Sequence, residues 1–243
     1  MGFSNTKMQV LNRDMIKYIA MLTMLLNHIA HMFLPPGSVL TEIMTDIGYF
    51  TAPTMCYFMV EGYEYTRSKA KYGLRLLAFA VLSQIPFTRA FETGQLNMMF
   101  TLLCCFLILA VMEKVANPLL RMLLAMILMF ATVMGDWPLF APIFTILFHN
   151  SKGDRKKMIG SYGITCAFFV LITIQSNLMK PGYTMAEAVV FGVMSAAGIV
   201  MSAVVVLFFY NGKRAEKGKN FSKWFFYIFY PGHLVILYFI RAL

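Results

Sequence analysis

Apolar residues run for long stretches along this chain, broken only by short polar loops. The runs are too long and too uniform for strands, and the alternating segments of a membrane barrel are absent. A helix needs about 20 apolar residues to cross a hydrocarbon layer. The pattern predicts nine spans, at about 15–34, 43–63, 73–90, 97–115, 119–135, 137–149, 157–176, 185–210 and 222–241. The sixth is short, and the eighth is long enough to tilt. Pro35-Pro36-Gly37, Asn117-Pro118, Trp137-Pro138 and Lys180-Pro181-Gly182 punctuate the loops as helix stops. The expectation is an all-α, polytopic transmembrane helix bundle forming one integral-membrane domain over residues 1–243.

Composition sharpens this. Of 243 residues, 59% are hydrophobic and 13% charged, against about 25% charged in an ordinary soluble domain. That is too little polar surface for a soluble enzyme, a nucleic-acid-binding domain or a disordered tail. The net charge of +10 reads as topology, because basic residues collect in cytoplasmic loops. With nine crossings and the N-terminus inside, 18 of the 21 basic residues, Lys7 among them, fall on the inner side. Arg89, Lys180 and Arg241 fall outside. Adding or deleting one span would put several basic loops outside, so the C-terminus is expected outside. The first span ends in Phe33-Leu34-Pro35-Pro36 without a small-residue cleavage site, unlike a removable signal. The lipid bilayer is the expected surround, and no nucleic-acid partner is implied.

Ionisable groups inside spans are costly and point to function by default. At about 1.5 Å per residue, His28 lies roughly 18 Å from the inner end of its span, His233 roughly 15 Å and Gln84 roughly 14 Å, with Arg89 at roughly 21 Å. His31 stands three residues after His28, so the two share a helix face, and Asn27 reaches His31 at i+4. An imidazole general base oriented by Asn27 or a second His fits this pattern, and so do plain interhelical hydrogen bonds. A zinc site would need a third ligand from another helix, and no metal is assigned. Cys56, Cys104, Cys105 and Cys166 are scattered through apolar spans as small core residues.

Glu61 and Glu64 end the second span at the inner face, where Glu61 is expected beside Arg75 or Lys71. Asp46 and Asp136 fall at outer helix ends, placed either to meet an incoming cation or to cap a helix. The cluster Arg67, Lys69, Lys71 and Arg75 serves topology, and could also offer cations to the phosphates of a cytosolic cofactor.

Several fragments resemble the TraX family of membrane proteins linked to N-acetylation of conjugative pilin. They are Leu11-Asn12-Arg13-Asp14-Met15-Ile16-Lys17, Met24-Leu25-Leu26-Asn27-His28, Val60-Glu61-Gly62-Tyr63 with Thr66, and Lys71-Tyr72-Gly73-Leu74-Arg75-Leu76. Ser83-Gln84-Ile85-Pro86-Phe87, Leu96-Asn97, Thr101-Leu102, Gly135-Asp136-Trp137 and Tyr230-Pro231-Gly232-His233-Leu234 continue it. The family is similar to the acyltransferase-3 and heparan glucosaminide acetyltransferase groups. The resemblance implies a multi-pass protein of the bacterial cytoplasmic membrane that moves acetyl from cytosolic acetyl-CoA to an amine, such as a peptide or protein N-terminus.

It also implies that His28 is the catalytic His and that Arg75 helps hold CoA; the other roles that follow are expected from the chemistry and placement of the residues themselves. His28 is the catalytic base, with Asn27 and His31 beside it. Arg75 helps hold CoA, with Arg67, Lys71, Tyr72 and Glu61 completing the cofactor set. Gln84, Asn97 or His233 donates a hydrogen bond to the developing oxyanion, and Arg89, Asn97 and Asp136 are the acceptor-binding candidates. Related sequences often carry Asp-His where this chain has Asn27-His28. An Asn orients an imidazole but does not stabilise its cation, which leaves His31 or another span to supply the partner. The competing expectations are a proton-coupled transporter, with the histidines as relay, or a non-catalytic membrane assembly factor.

Overall fold

A computed structural model describes residues 8–180 and 182–243; Lys7 and Pro181, used above, lie outside them. The described chain is helical, and its only β-type pairings are two isolated bridges. The helices are α1 (Arg13–Phe33), α2 (Val39–Gly48), α3 (Thr51–Tyr65), α4 (Lys69–Phe91), α5 (Met98–Lys114) and α6 (Pro118–Ala131). They continue with α7 (Phe140–Asn150), α8 (Arg155–Leu178), α9 (Met185–Met194), α10 (Ala197–Val204) and α11 (Lys219–Ala242). The starts are written in the sequence. Asn12, Ser38, Ser68, Asn97, Asn117 and Asp154 each accept a hydrogen bond from the first turn they precede. Thr184 and Glu187 form a reciprocal capping box on α9.

Four stretches are long and apolar enough to cross a membrane: Lys69–Phe91, Arg155–Leu178, Met185–Phe209 and Lys219–Ala242. Several expected spans are interrupted, one of these four among them. The run 43–63 is divided at Tyr49-Phe50 into α2 and α3. The run 185–210 becomes α9, α10 and a π-turn over Val205–Phe209. The run 119–135 leaves α6 for a 3₁₀ turn at Thr132–Met134. The sixth is a helix of 11 residues, about 16 Å long at 1.5 Å per residue. Hydropathy is continuous through these breaks, so it cannot register them.

The chain folds as two compact units, each made of separated segments. The first combines residues up to Thr54 with Ser151–Ala215. In it α1 packs on α2, α8 on α9, and α10 on both α2 and α8. Gly198 explains why α10 can lie on the α2–α3 break: a Cβ there would fall 2.2 Å from the Asp46 carbonyl oxygen and 2.6 Å from the Phe50 nitrogen. A buried hydroxyl chain joins three helices, Thr54 Oγ1 to Ser202 Oγ at 2.8 Å and Ser202 Oγ to Tyr162 Oη at 3.1 Å. At the start of α1, the Asp14 carboxylate accepts from the Ala215 N–H at 3.0 Å and faces Arg214 at 3.8 Å. Leu11 pairs with Tyr210 through main-chain bonds.

The second unit combines Met55–Asn150 with Glu216–Leu243. Here α4 packs between α5 and α11, and α5 also touches α6 and α7. Gly73 lets the Phe106 ring approach, at 3.1 Å from where a Cβ would stand. Arg241 closes the far end of the α4–α11 pair, donating to the Ala90 carbonyl at 3.2 Å and pairing with Glu92 at 3.1 Å.

Candidate functional site

The α4–α5 connection lies alongside α4 instead of leaving it. Gln84 Oε1 accepts from the Asn97 N–H at 3.0 Å and from Asn97 Nδ2 at 2.9 Å. Gln84 Nε2 donates to the Gln95 carbonyl at 2.8 Å and to Thr88 Oγ1 at 3.1 Å. Asn97 Nδ2 also donates to the Ala80 carbonyl at 2.8 Å, while Asn97 Oδ1 caps α5 by accepting from the Met99 N–H. Non-helical backbone among apolar helices must find polar partners inside the protein, and these two amides supply them. Depth along α4 marked Gln84 as a mid-membrane polar group, and the structure joins it to Asn97. Their donors, however, are already taken, so neither is available to an oxyanion without giving up a structural bond. Both position the loop.

A second loop meets the first. The Leu96 N–H donates to the Met134 carbonyl at 2.7 Å, and the Asp136 N–H donates back to the Leu96 carbonyl at 2.9 Å. Thr101 Oγ1 donates to the Asp136 carbonyl at 2.7 Å. Gly135 is required here, since a Cβ would sit 2.6 Å from Thr101 Oγ1. Trp137 and Leu139 follow with φ of 56° and 62°, a left-handed conformation unfavourable for both. The Asp136 carboxylate takes a hydrogen bond from the Trp137 N–H, yet burial pushes its pKa up to about 6. Asp136 therefore caps no helix by the arrangement seen at Asn97.

On α11, His233 is 5% exposed and its Nδ1 lies 2.8 Å from the Phe229 carbonyl. A carbonyl only accepts, so Nδ1 carries the proton and Nε2 holds the lone pair. The ring stacks on Phe229 at 5.0 Å. In this tautomer Nε2 accepts protons and does not donate, so His233 does not fit the oxyanion role expected of it. Its neighbour Tyr230 accepts from the Met98 N–H at 3.2 Å, linking α11 to the start of α5.

At the other end of α4 the basic cluster divides. Lys69 and the Tyr63 hydroxyl both bind the Glu113 carboxylate, so Lys69 is not free for a ligand. Arg67 and Lys71 are exposed. Arg75 lies over the Tyr72 ring at 5.7 Å and hydrogen-bonds Tyr227. Its Nε is buried with no hydrogen-bond partner among the described residues. Tyr72 is seated against Gly62, whose missing Cβ leaves 3.2 Å to the Tyr72 hydroxyl. Glu61 is buried in α3. His149, at the end of α7, lies 3.7 Å from Glu64 in a partly buried position. Arg89 is exposed on α4 and takes no part in the Gln84 cluster.

In the first unit, His28 is 6% exposed on α1. Asn27 Nδ2 donates to the Thr45 carbonyl at 3.2 Å, and Gly48 admits the Asn27 side chain, which would stand 2.3 Å from a Cβ. Asn27 thus ties α1 to α2. His31 is exposed although it shares a helix face with His28 in sequence.

Three residues escaped the sequence reading. Glu113 ends α5 as a lone carboxylate, and its partners come from α3 and α4, which no spacing rule connects. Tyr227 precedes the recognisable Tyr230-Pro231-Gly232-His233 by one turn, a signal that was present. Ser83 Oγ is buried beside Gln84 in sequence and has no hydrogen-bond partner among the described residues. Among the described residues no three His, Cys, Asp or Glu side chains gather as metal ligands.

Comparison with known proteins gives two matches. Residues 12–241 match the family described as TraX protein. The chain is 31% identical over 237 residues to the probable fimbrial assembly protein FimC, serogroup H1, of Dichelobacter nodosus. That overlap covers 91% of this chain and 92% of the other. No solved structure matches.

Proposed function

The chain belongs to the TraX protein family, and from this we propose that it is a multi-pass membrane acetyltransferase that moves acetyl from acetyl-CoA to an amine. The carrying observation is Arg75: a guanidinium with a buried, unfilled Nε, held by Tyr72 and Tyr227 at the basic end of the α4–α11 pair. A planar cation with a spare donor suits a phosphate oxygen, and exposed Arg67 and Lys71 stand on the same side of the sequence. These residues fit the diphosphate of CoA, whose thioester supplies an activated acetyl group.

The remaining roles fall to this chain's residues. His28 takes the proton that the amine nitrogen loses as it bonds to the acetyl carbon; the carbon–sulfur bond breaks, and the departing thiolate receives that proton. Positioned proton transfer of this kind contributes about 10²–10⁴-fold. The proposal includes nine crossings of the bacterial cytoplasmic membrane, N-terminus inside and C-terminus outside.

Purified protein in lipid nanodiscs, given labelled acetyl-CoA and a peptide with a free α-amine, provides the test. His28→Ala is expected to lower transfer at least ~100-fold, and Arg75→Ala to raise KM for acetyl-CoA ~10-fold. Transfer by His28→Ala at the wild-type rate would reject His28 as the base. A second reading, a membrane assembly factor without chemistry, draws on the printed name of the Dichelobacter nodosus relative. It is favoured if the chain neither binds CoA nor transfers acetyl.

A further inference from the structure

The starts of α4 and α11 carry a layer of aromatic rings around one guanidinium. Arg75 lies six residues into α4 and Trp224 five residues into α11, so both stand about 8–9 Å from the starts of their helices at 1.5 Å per residue. The two helices run side by side in the same direction, since Phe79 meets Tyr227 near their starts and Arg241 meets Ala90 near their ends. Tyr227 holds the Arg75 guanidinium by a hydrogen bond and is itself fixed by stacking on Phe79, with centroids 4.9 Å apart. The guanidinium also lies over the Tyr72 ring, 5.7 Å from its centroid. These contacts leave Arg75 Nε buried and unfilled among the described residues.

Trp224 completes the layer from outside. Phe79 touches it at 6.5 Å with the rings tilted by 52°, and the Lys223 ammonium stands 5.0 Å over the indole. No other ring or cation of the described residues lies against it, and Trp224 is 47% exposed. A large, flat, exposed ring is therefore held one helix spacing, about 8–10 Å, from a cation with a spare donor. That is the reach from a nucleobase through its ribose to a 5′-diphosphate. The guanidinium suits a phosphate oxygen through charge-assisted hydrogen bonds, and an aromatic side chain stacks any base because every base has a π face. A tryptophan that only anchored α11 at a lipid interface would stand alone. This one shares Phe79 with the tyrosine that orients Arg75.

We propose that the basic end of the α4–α11 pair is a nucleotide site, in which Arg75 takes a phosphate and Trp224 stacks the base. This deepens the donor reading of Arg75 and rests on it for one point, that the nucleotide is the adenosine end of acetyl-CoA. Trp224 then selects the donor by a part of the molecule remote from the acetyl group, and Lys223 adds positive charge beside the ribose phosphate. Binding energy gained at that end holds the thioester in place without entering its chemistry.

The test separates the two ends of the donor. The full chain is placed in nanodiscs of phosphatidylcholine alone, so that no anionic lipid competes for Arg75, and binding of radiolabelled CoA is measured. Adenosine 3′,5′-bisphosphate is expected to displace it, and pantetheine, which lacks both phosphate and base, to do so at least ~10-fold more weakly. Trp224→Ala is expected to weaken CoA binding at least ~5-fold and Trp224→Phe to stay within ~3-fold. Neither should change the KM for S-acetylpantetheine, used as the acetyl donor, by more than ~2-fold. A bisphosphate that does not displace CoA, or an unchanged CoA affinity in Trp224→Ala, overturns the site. An equal loss with both donors also overturns it, because Trp224 then only supports the fold. If Trp224→Ala yields too little folded protein, Trp224→Leu keeps the apolar bulk without a stacking ring and carries the same comparison. Nucleotide binding without any acetyl transfer retains the site and rejects the reaction. Transfer with an unchanged KM for acetyl-CoA in Trp224→Ala retains the reaction and rejects the site.

Discussion

Single residues here carry two kinds of work, and Asp136 shows how to separate them. Its pKa rises from the ordinary 3.8 to about 6, so between those values the folded chain holds a proton that the unfolded chain has lost. Stability from this group is present below about pH 4 and is lost as pH rises to about 6. Asp136→Asn is therefore expected to match the wild-type Tm near pH 4 and exceed it at pH 7, read by thermal unfolding in detergent. Gln84 and Asn97 give the opposite case, since each satisfies the other. Gln84→Ala and Asn97→Ala should each cost about 1–3 kcal/mol, and the double variant little more than the worse single one. Denaturation of the three variants measures that coupling; full additivity would count against the network. Depth along the helix made Gln84 legible as a mid-membrane polar group, and Asn97 only as a polar residue opening the next apolar run. Their commitment to each other was not, because spacing specifies which residues can meet and not how many bonds each then makes.

Helices in this chain are set by glycine as much as by apolar length. At Gly198 the atoms in the way are main chain of residues 46–50, which cannot swing aside. Gly198→Ala should cost about 3 kcal/mol or prevent folded protein from accumulating. At Gly192 the nearest atom is Ile174 Cγ1, 2.4 Å from a Cβ, and a side chain can rotate, so Gly192→Ala should cost about 1 kcal/mol. Gly160 in α8 has nothing within 4 Å, and Gly160→Ala should be neutral or stabilise by up to about 1 kcal/mol. Melting curves of the three variants should fall in that order. The helix starts were readable, because Asn, Ser, Asp and Thr caps announce them. The Tyr49-Phe50 break was not, because it answers to Gly198, some 150 residues later in sequence, and not to any local change in polarity.

For the whole molecule, an all-helical membrane protein was legible from apolar run length and scarcity of charge. Its division into two interleaved units was not, since that depends on which helices choose each other. The proposed nine crossings predict that a cysteine at the N-terminus is shielded from a membrane-impermeant maleimide in intact cells, while one after Leu243 is labelled. Labelling of both ends, or of neither, would rule out an odd number of crossings.

The bond from the Ala215 N–H to Asp14 spans 201 residues, and it sets a clock on biogenesis. Translation at about 5–20 residues per second leaves the start of α1 waiting roughly 10–40 s for its anchor. For most of that interval α1 and α2 have only each other, because α8, α9 and α10 of their unit are made later. A buried carboxylate with no partner is costly in lipid, so Asp14 holds the N-terminal edge at the aqueous face until the loop before α11 arrives. A chain released early, before Ala215, is expected to be a substrate for membrane proteolysis instead of a stable half-protein.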